Sequence, residues 1–220
     1  MERRELIGDI ASQIAAIARP HPVRVAIDGV DAAGKTTFAD ELAPALAALS
    51  RPVIRASVDG FHNPAAIRYR QGPDSPEGYF HDSFDYPALI EALLLPLGPG
   101  GSLAFRRAVF DFRTDAAVNA PLEHAEANSV LLLDGVFLLR PELRGYFEFS
   151  IFLRADFSFT VARAKQRDLS LLGTLEEVRR RYRERYVPGQ ELYLNSVKPE
   201  QWASVVIDNN DPIRPIPRTR

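Results

Sequence analysis

The stretch that most constrains this chain is Val23-Arg24-Val25-Ala26-Ile27-Asp28-Gly29-Val30-Asp31-Ala32-Ala33-Gly34-Lys35-Thr36-Thr37. A β-branched run leads into a turn holding two glycines, and a helical pattern follows. Gly29, Gly34, Lys35 and Thr36 satisfy G-x-x-x-x-G-K-[ST], the phosphate-binding loop between a strand and a helix. Successive backbone N–H groups there line a concavity suited to a phosphate, and the helix N-terminus adds partial positive charge. Glycine is required where the backbone curls tightly around an anion. In this pattern Lys35 reaches the β- and γ-phosphates and the Thr36 hydroxyl sits on Mg²⁺. Gly29, Asp31, Ala32, Ala33, Gly34, Lys35, Thr36 and Thr37 are therefore the expected contacts of a nucleoside triphosphate.

Composition narrows the class. A chain of 220 residues fits one large α/β domain with a small lid, and 46% hydrophobic residues suffice for a core. With no cysteine there is no disulfide framework, thiolate metal site or cysteine nucleophile. A net charge of −2 gives no overall basic character for nucleic-acid binding. The start, Met1-Glu2-Arg3-Arg4-Glu5, leads into an amphipathic stretch and not an apolar signal core, and no apolar run is long enough to span a bilayer. The expectation is a cytoplasmic protein with neither a nucleic-acid nor a membrane partner; self-association to a homo-oligomer is left open.

Along the chain, Leu6, Ile7, Ile10, Ile14 and Ile17 recur at helical spacing up to Pro20. Residues 23–28 read as the first strand, 35–49 as a helix containing Pro44, and 52–58 as a second, buried parallel strand. The Pro-, Gly- and Tyr-rich stretch 61–86 reads as a long irregular loop, a feature that is usually functional. A helix at about 87–95 precedes a Gly/Pro turn, and 102–112 alternates toward a hairpin or short strand. Strands are expected at 129–133, 149–153 and 205–207. Helices are expected at 156–170 and 174–186, within a lid at about 163–186, before a loose tail at 211–220. Alternating strands and helices predict an α/β P-loop fold, a doubly wound and mostly parallel sheet with helices on both faces.

Ligands of such sheets bind beyond the carboxyl ends of the strands. Three predicted strands end there in acid-glycine: Asp28-Gly29, Asp59-Gly60 and Asp134-Gly135. Asp-Gly is also an ordinary turn after a strand, but three together, one of them in a phosphate loop, predict carboxylates converging on the γ-phosphate. Asp134 follows Val130-Leu131-Leu132-Leu133, an apolar strand ending on a Mg²⁺-associated acid. Asp59 stands where a kinase needs an acid within reach of the acceptor hydroxyl.

The combination Gly29-x-x-x-x-Gly34-Lys35-Thr36-Thr37, Ser57-Val58-Asp59-Gly60-Phe61-His62, Phe84-Asp85-Tyr86-Pro87 and Phe110-Asp111-Phe112 resembles the uridine kinase family. That family is grouped with phosphoribulokinase and bacterial pantothenate kinase, and the similarity runs with gaps from about Val23 to Asp208. The resemblance implies ATP as donor, Mg²⁺ held by Thr36 and Asp134, and Asp59 as the catalytic acid beside Lys35. It implies that Asp85 binds ribose hydroxyls, that Phe84, Phe110 and Phe112 line a base pocket, and that His62 contacts the substrate. Arg163 and Arg167, on one helical face, would clamp the transferred phosphate, and Asn209 would border the adenine. The run Arg179–Arg185 reads instead as a solvated face with acidic partners.

Departures fall on the acceptor side. The chain has Asp134 where the family usually has glutamate, Leu172-Gly173-Thr174 where the lid usually carries further arginines, and Asp115 where a base-pocket histidine usually stands. The sequence thus leads to an ATP-dependent kinase of a small hydroxyl compound, most like a nucleoside kinase for uridine or cytidine. A pantothenate or sugar kinase of the same group is the alternative. A regulatory P-loop NTPase is disfavoured, because no Asn-Lys-x-Asp guanine motif occurs and no glutamate follows Asp134. A catalytically silent nucleotide-binding protein would have no use for Asp59 or the paired arginines.

Overall fold

The computed structural model describes residues 2–169 and 173–218, apart from the side chains of 165–167. Its strands are β1 (Val23–Gly29), β2 (Val53–Ser57), β3 (Ala104–Phe105), β4 (Phe110–Asp111), β5 (Ala116–Ala117), β6 (Glu123–His124), β7 (Val130–Gly135), β8 (Phe149–Arg154), β9 (Val205–Asp208) and β10 (Ile216–Arg218). Six of them form one sheet in the order β10-β9-β8-β1-β7-β2. Every pairing in it is parallel except β9 with β10.

The residues explain the layering. All seven residues of β1 are buried, so both its faces need cover. Val23, Val25 and Ile27 alternate to one face. There they meet α1 (Arg3–Ala15), through Leu6, Ile7, Ile10 and Ile14, and α2 (Lys35–Ala48), through Phe38, Leu42 and Leu46. Ala26, with Leu131, Leu133 and Phe152, faces a second core of Tyr79, Phe80, Leu89, Phe137 and Tyr193. No helix among the described residues is long and apolar enough to cross a membrane.

Several local expectations are corrected. The stretch 61–86 is not irregular, since it holds α3 (Ala65–Arg68) and α4 (Pro76–Asp82). Ser75 caps α4 by accepting from the Gly78 N–H at 2.9 Å, and Pro76 opens the helix. The second strand stops at Ser57, and residues 58–61 form a 3₁₀ turn. The helix expected at 87–95 begins as α5 (Tyr86–Leu89) and widens to a π turn over Ile90–Leu94. Residues 102–112 do not pair with one another: β3 pairs with β6 and β4 with β5. After α6 (Pro141–Arg144) and α7 (Phe157–Arg167), α8 (Leu175–Arg181) passes through a π turn into α9 (Val187–Val197). Pro188 follows on that π turn, where the regular ladder of backbone bonds is already interrupted and a residue without an N–H is accommodated. The tail is not loose over 216–218, where β10 pairs with β9.

Asp28 corrects the picture of three converging acids. It shares the Ala26 face of β1 and is fully buried. Its carboxylate accepts from the Gly29 N–H (2.7 Å), the Leu139 N–H (3.0 Å) and the Tyr193 hydroxyl. It is a brace between the sheet and the 136–139 turn and does not face the phosphate loop's cleft. Burial outweighs those donors and pushes the carboxyl from 3.8 up to about 6. The folded state therefore holds a proton that the unfolded chain releases between these values, so its contribution is present at low pH and lost as pH rises through about 6. Relative to Asp28→Asn, the native chain should lose up to about 3 kcal/mol of unfolding free energy between pH 4 and 6.5. Denaturant titrations across that range check this, and parallel pH profiles for the two proteins would contradict it.

Candidate active site

Beyond the carboxyl end of β1 the backbone makes the turn the motif requires. Gly34 caps α2 with φ +92°, and a Cβ there would lie 2.9 Å from the Asn209 Nδ2. Gly34 has no side chain with which to cap α2. Its first backbone bond runs from the Phe38 N–H to the Gly34 carbonyl at 2.9 Å. The preceding first-turn N–H groups have no carbonyl within the helix to meet, an arrangement suited to an anion. Asp31 behaves differently: its N–H donates to Gln190 Oε1 at 2.5 Å and its carboxylate accepts from the Tyr79 hydroxyl at 2.8 Å.

Sheet register brings the other segments to this loop. Asp134 stands opposite both Ile27 of β1 and Ser57 of β2. Its Oδ2 accepts from the Thr36 hydroxyl at 2.8 Å, and its Oδ1 meets Arg55 Nη1 at 3.2 Å. Lys35 Nζ donates to the Val30 carbonyl at 2.8 Å, folding the side chain back over the loop. Just past β2, the 3₁₀ turn carries Asp59. That turn lies close to β7, since a Cβ on Gly135 would come within 2.4 Å of Val58 Cγ1. Gly135 is thus what lets the Asp59 turn approach the strand end.

These groups line one cleft of about 880 Å³, within the range of ligand sites. Asp31, Ala32, Gly34, Lys35, Thr36, Thr37, Asp59, His62, Phe84, Phe112, Asp134, Arg163 and Asn209 all face it. Gly29 and Ala33 lie behind the loop instead. A Cβ on Gly29 would sit 2.5 Å from the Leu153 carbonyl, and the Ala33 carbonyl accepts from Asn209 Nδ2 at 2.7 Å. Phe110 and Asp85 are also outside the lining. Asp85 Oδ1 accepts from the Ala88 N–H at 2.9 Å, so this carboxylate caps α5. The Arg167 side chain and Leu172 lie outside the described residues.

The Asp59 carboxylate makes no side-chain hydrogen bond among the described residues, and water reaches it through the cleft mouth. The protein around it nonetheless pushes its carboxyl upward, chiefly by burial. His62 and Lys35 oppose that shift, and the carboxylates of Asp31 and Asp134 add to it. His62 packs between Phe84 (4.5 Å) and Phe112 (4.7 Å), and its Nδ1 lies 3.0 Å from the Asp59 carbonyl. Burial holds its imidazole below the ordinary range, against the pull of Asp59.

The donor end holds contacts that sequence reasoning missed. Arg3 of α1 pairs with Glu41 (2.6 Å) and donates to Asn209 Oδ1 (3.2 Å) and the Pro212 carbonyl (2.8 Å). Asn209 thereby ties α1 to the phosphate loop. Arg163 Nη2 donates to the Asn210 carbonyl at 2.7 Å, which seats α7 on the loop after β9. Tyr79, Tyr182, Tyr186 and Asp168 complete the wall, with the Tyr182 hydroxyl donating to Asp168 Oδ2 at 2.7 Å. The capped Ser75-Pro76 start was the available signal for Tyr79. In the arginine run, Arg180 and Arg181 pair with Glu177 as expected, but Arg185 is buried, donating to the carbonyls of Ser75 (3.0 Å) and Arg68 (3.1 Å).

Oxygen donors from Thr36 and Asp134 fit Mg²⁺, which keeps several waters and needs only one or two protein ligands besides phosphate. Among the described residues no group of three or more His, Cys, Asp or Glu side chains is placed to hold a metal ion.

The fold and its sequence have known counterparts. The structure described as a possible uridine kinase from Bacillus stearothermophilus superposes with a TM-score of 0.73 at 23% identity, over 94% of this chain and 99% of that one. D-glycerate 3-kinase from Cryptococcus neoformans superposes with a TM-score of 0.65 at 14% identity, over 99% of both chains. In sequence, the chain is 29% identical over 185 residues to a pantothenate kinase from Rhodopseudomonas palustris strain HaA2, covering 78% of this chain. It spans 57% of that relative's length. The model of the phosphoribulokinase/uridine kinase family matches residues 25–208, and the chain belongs to that family.

Proposed function

We propose that residues 1–220 act as one phosphotransferase domain that moves the γ-phosphoryl group of ATP to a hydroxyl of a small molecule. The observation that carries this is the position of Asp59, a carboxylate open to the same cleft as the phosphate loop. A protein that only bound or hydrolysed a nucleotide has no use for an acid there. Lys35 and the N–H groups at the start of α2 would hold the β- and γ-phosphates, with Arg163 adding charge from the lid. Mg²⁺ held by Thr36 and Asp134 would neutralise charge developing on the phosphoryl oxygens. Asp59 would accept a hydrogen bond from the acceptor hydroxyl, orient it for in-line attack, and take its proton as the bond forms. Its upward-shifted carboxyl makes it a better proton acceptor than an ordinary surface aspartate.

The acceptor wall offers His62, Phe84 and Phe112 as a ring platform, which suits a nucleoside base. The capping bond of Asp85 argues against a ribose diol held by that carboxylate. This geometry favours an acceptor recognised by other means, as in a kinase of pantothenate or of a sugar. Within this reading, Asp59→Asn should lower kcat by about 10²-fold or more and leave the affinity for a non-hydrolysable ATP analogue within about threefold. Lost nucleotide binding would contradict the role. Gly135→Ala forces Val58 and the Asp59 turn outward, so turnover should drop by up to about 10²-fold with nucleotide affinity retained. Steady-state kinetics with calorimetric titration of the analogue separates the two effects.

A further inference from the structure

We infer that the acceptor carries an anionic group, a carboxylate or a phosphate, and that Arg113 holds it while the acceptor's hydroxyl lies at Asp59. This rests on the phosphotransfer reading and deepens it by naming a substrate class. Four side chains form a ladder along the acceptor wall: Phe84, His62, Phe112 and Arg113. His62 stacks on both phenylalanines, and the Arg113 guanidinium lies over the Phe112 ring, 5.7 Å from its centroid. The ladder joins the Asp59 turn through His62, whose Nδ1 lies 3.0 Å from the Asp59 carbonyl. A cation and the proposed acid thus flank one continuous surface inside the cleft.

Neither carboxylate beside Arg113 in sequence lies within ion-pair distance of its guanidinium, although Asp111 feels the guanidinium's charge. Asp111 accepts from the Arg113 N–H (2.9 Å) and the Thr114 hydroxyl (3.1 Å), closing the turn after β4. Asp115 accepts from the Ala65 N–H (2.8 Å) and pairs with Arg68 (2.9 Å). Arg107, by contrast, has its own partner in Glu123 at 2.6 Å. Arg113 forms no ion pair among the described residues. Its exposed guanidinium lies over a ring at the cleft wall, and its planar fork matches carboxylate or phosphate oxygens. An uncharged nucleoside offers that fork no anionic partner, and none of the cleft's carboxylates (Asp31, Asp59, Asp134 and Asp168) forms an ion pair with it among the described residues.

The test uses matched acceptors: D-glycerate against glycerol, pantothenate against pantothenol, and fructose 6-phosphate against fructose, with uridine and cytidine alongside. Acceptor-stimulated ADP formation should appear with a charged member and be weak or absent with its uncharged partner. Whether it is a carboxylate or the phosphate that works identifies the source. For the working acceptor, Arg113→Ala should raise KM about 10- to 100-fold with kcat changed less than about threefold, and Arg113→Lys should recover part of the loss. Equal use of charged and uncharged partners, preferential use of uridine or cytidine, or a KM indifferent to Arg113→Ala would overturn the inference while leaving phosphotransfer intact. Stimulation by none of these compounds, with the ATP analogue still binding, would overturn both.

Discussion

The site depends on one constraint, the parallel register that sets Asp134 of β7 opposite Ile27 of β1 and Ser57 of β2. Parallel strands end at the same edge of the sheet, so three segments far apart in sequence deliver their next residues to one place. The hydrogen bond from the Thr36 hydroxyl to Asp134 then fixes α2 against β7. The missing side chain at Gly135 lets the Asp59 turn close in from the other side. A slip in this register would separate the phosphate loop from the acid without disturbing either locally.

What was legible in the sequence was chemistry set by short local patterns. The glycines, lysine and threonine of the loop announce a backbone conformation, and Val130–Leu133 before Asp134 announces a buried strand with an acid at its end. What was not legible was the direction in which a carboxylate points. Asp28, Asp59 and Asp134 look alike as strand-end acids, yet Asp28 shares the Ala26 face and is consumed by Leu139 and Tyr193. Asp85 illustrates a related ambiguity. An aspartate two residues before a proline serves a ribose contact or a helix cap equally well, and here its oxygen caps α5. Arg185 looked solvated because its neighbours are, whereas tertiary contact with the 68–75 segment buries it.

Energetics divides the molecule unevenly. The sheet and its two flanking layers contain nearly all of the fully buried apolar side chains. Among the described residues, α7, α8 and the π turn after it share a small core of Ala164, Val178 and Tyr182. Such satellite clusters belong to the low-stability end of a fold, where elements can move as units while the rest stays intact. Arg163 joins this unit to the loop after β9 and to the phosphate loop by hydrogen bonds to carbonyls. On the proposed phosphotransfer reading, a firmly packed sheet edge beside a lightly packed helical unit is the division of labour that would let the cleft exclude water and then release product.

On the proposed function, the cleft joins a phosphate donor to a hydroxyl acceptor. Phosphorus NMR of the protein turning over ATP with its working acceptor observes that joining directly. A new phosphomonoester resonance should grow in step with ADP, with inorganic phosphate far below both. ADP accompanied by an equal amount of inorganic phosphate, and no phosphomonoester, would contradict it.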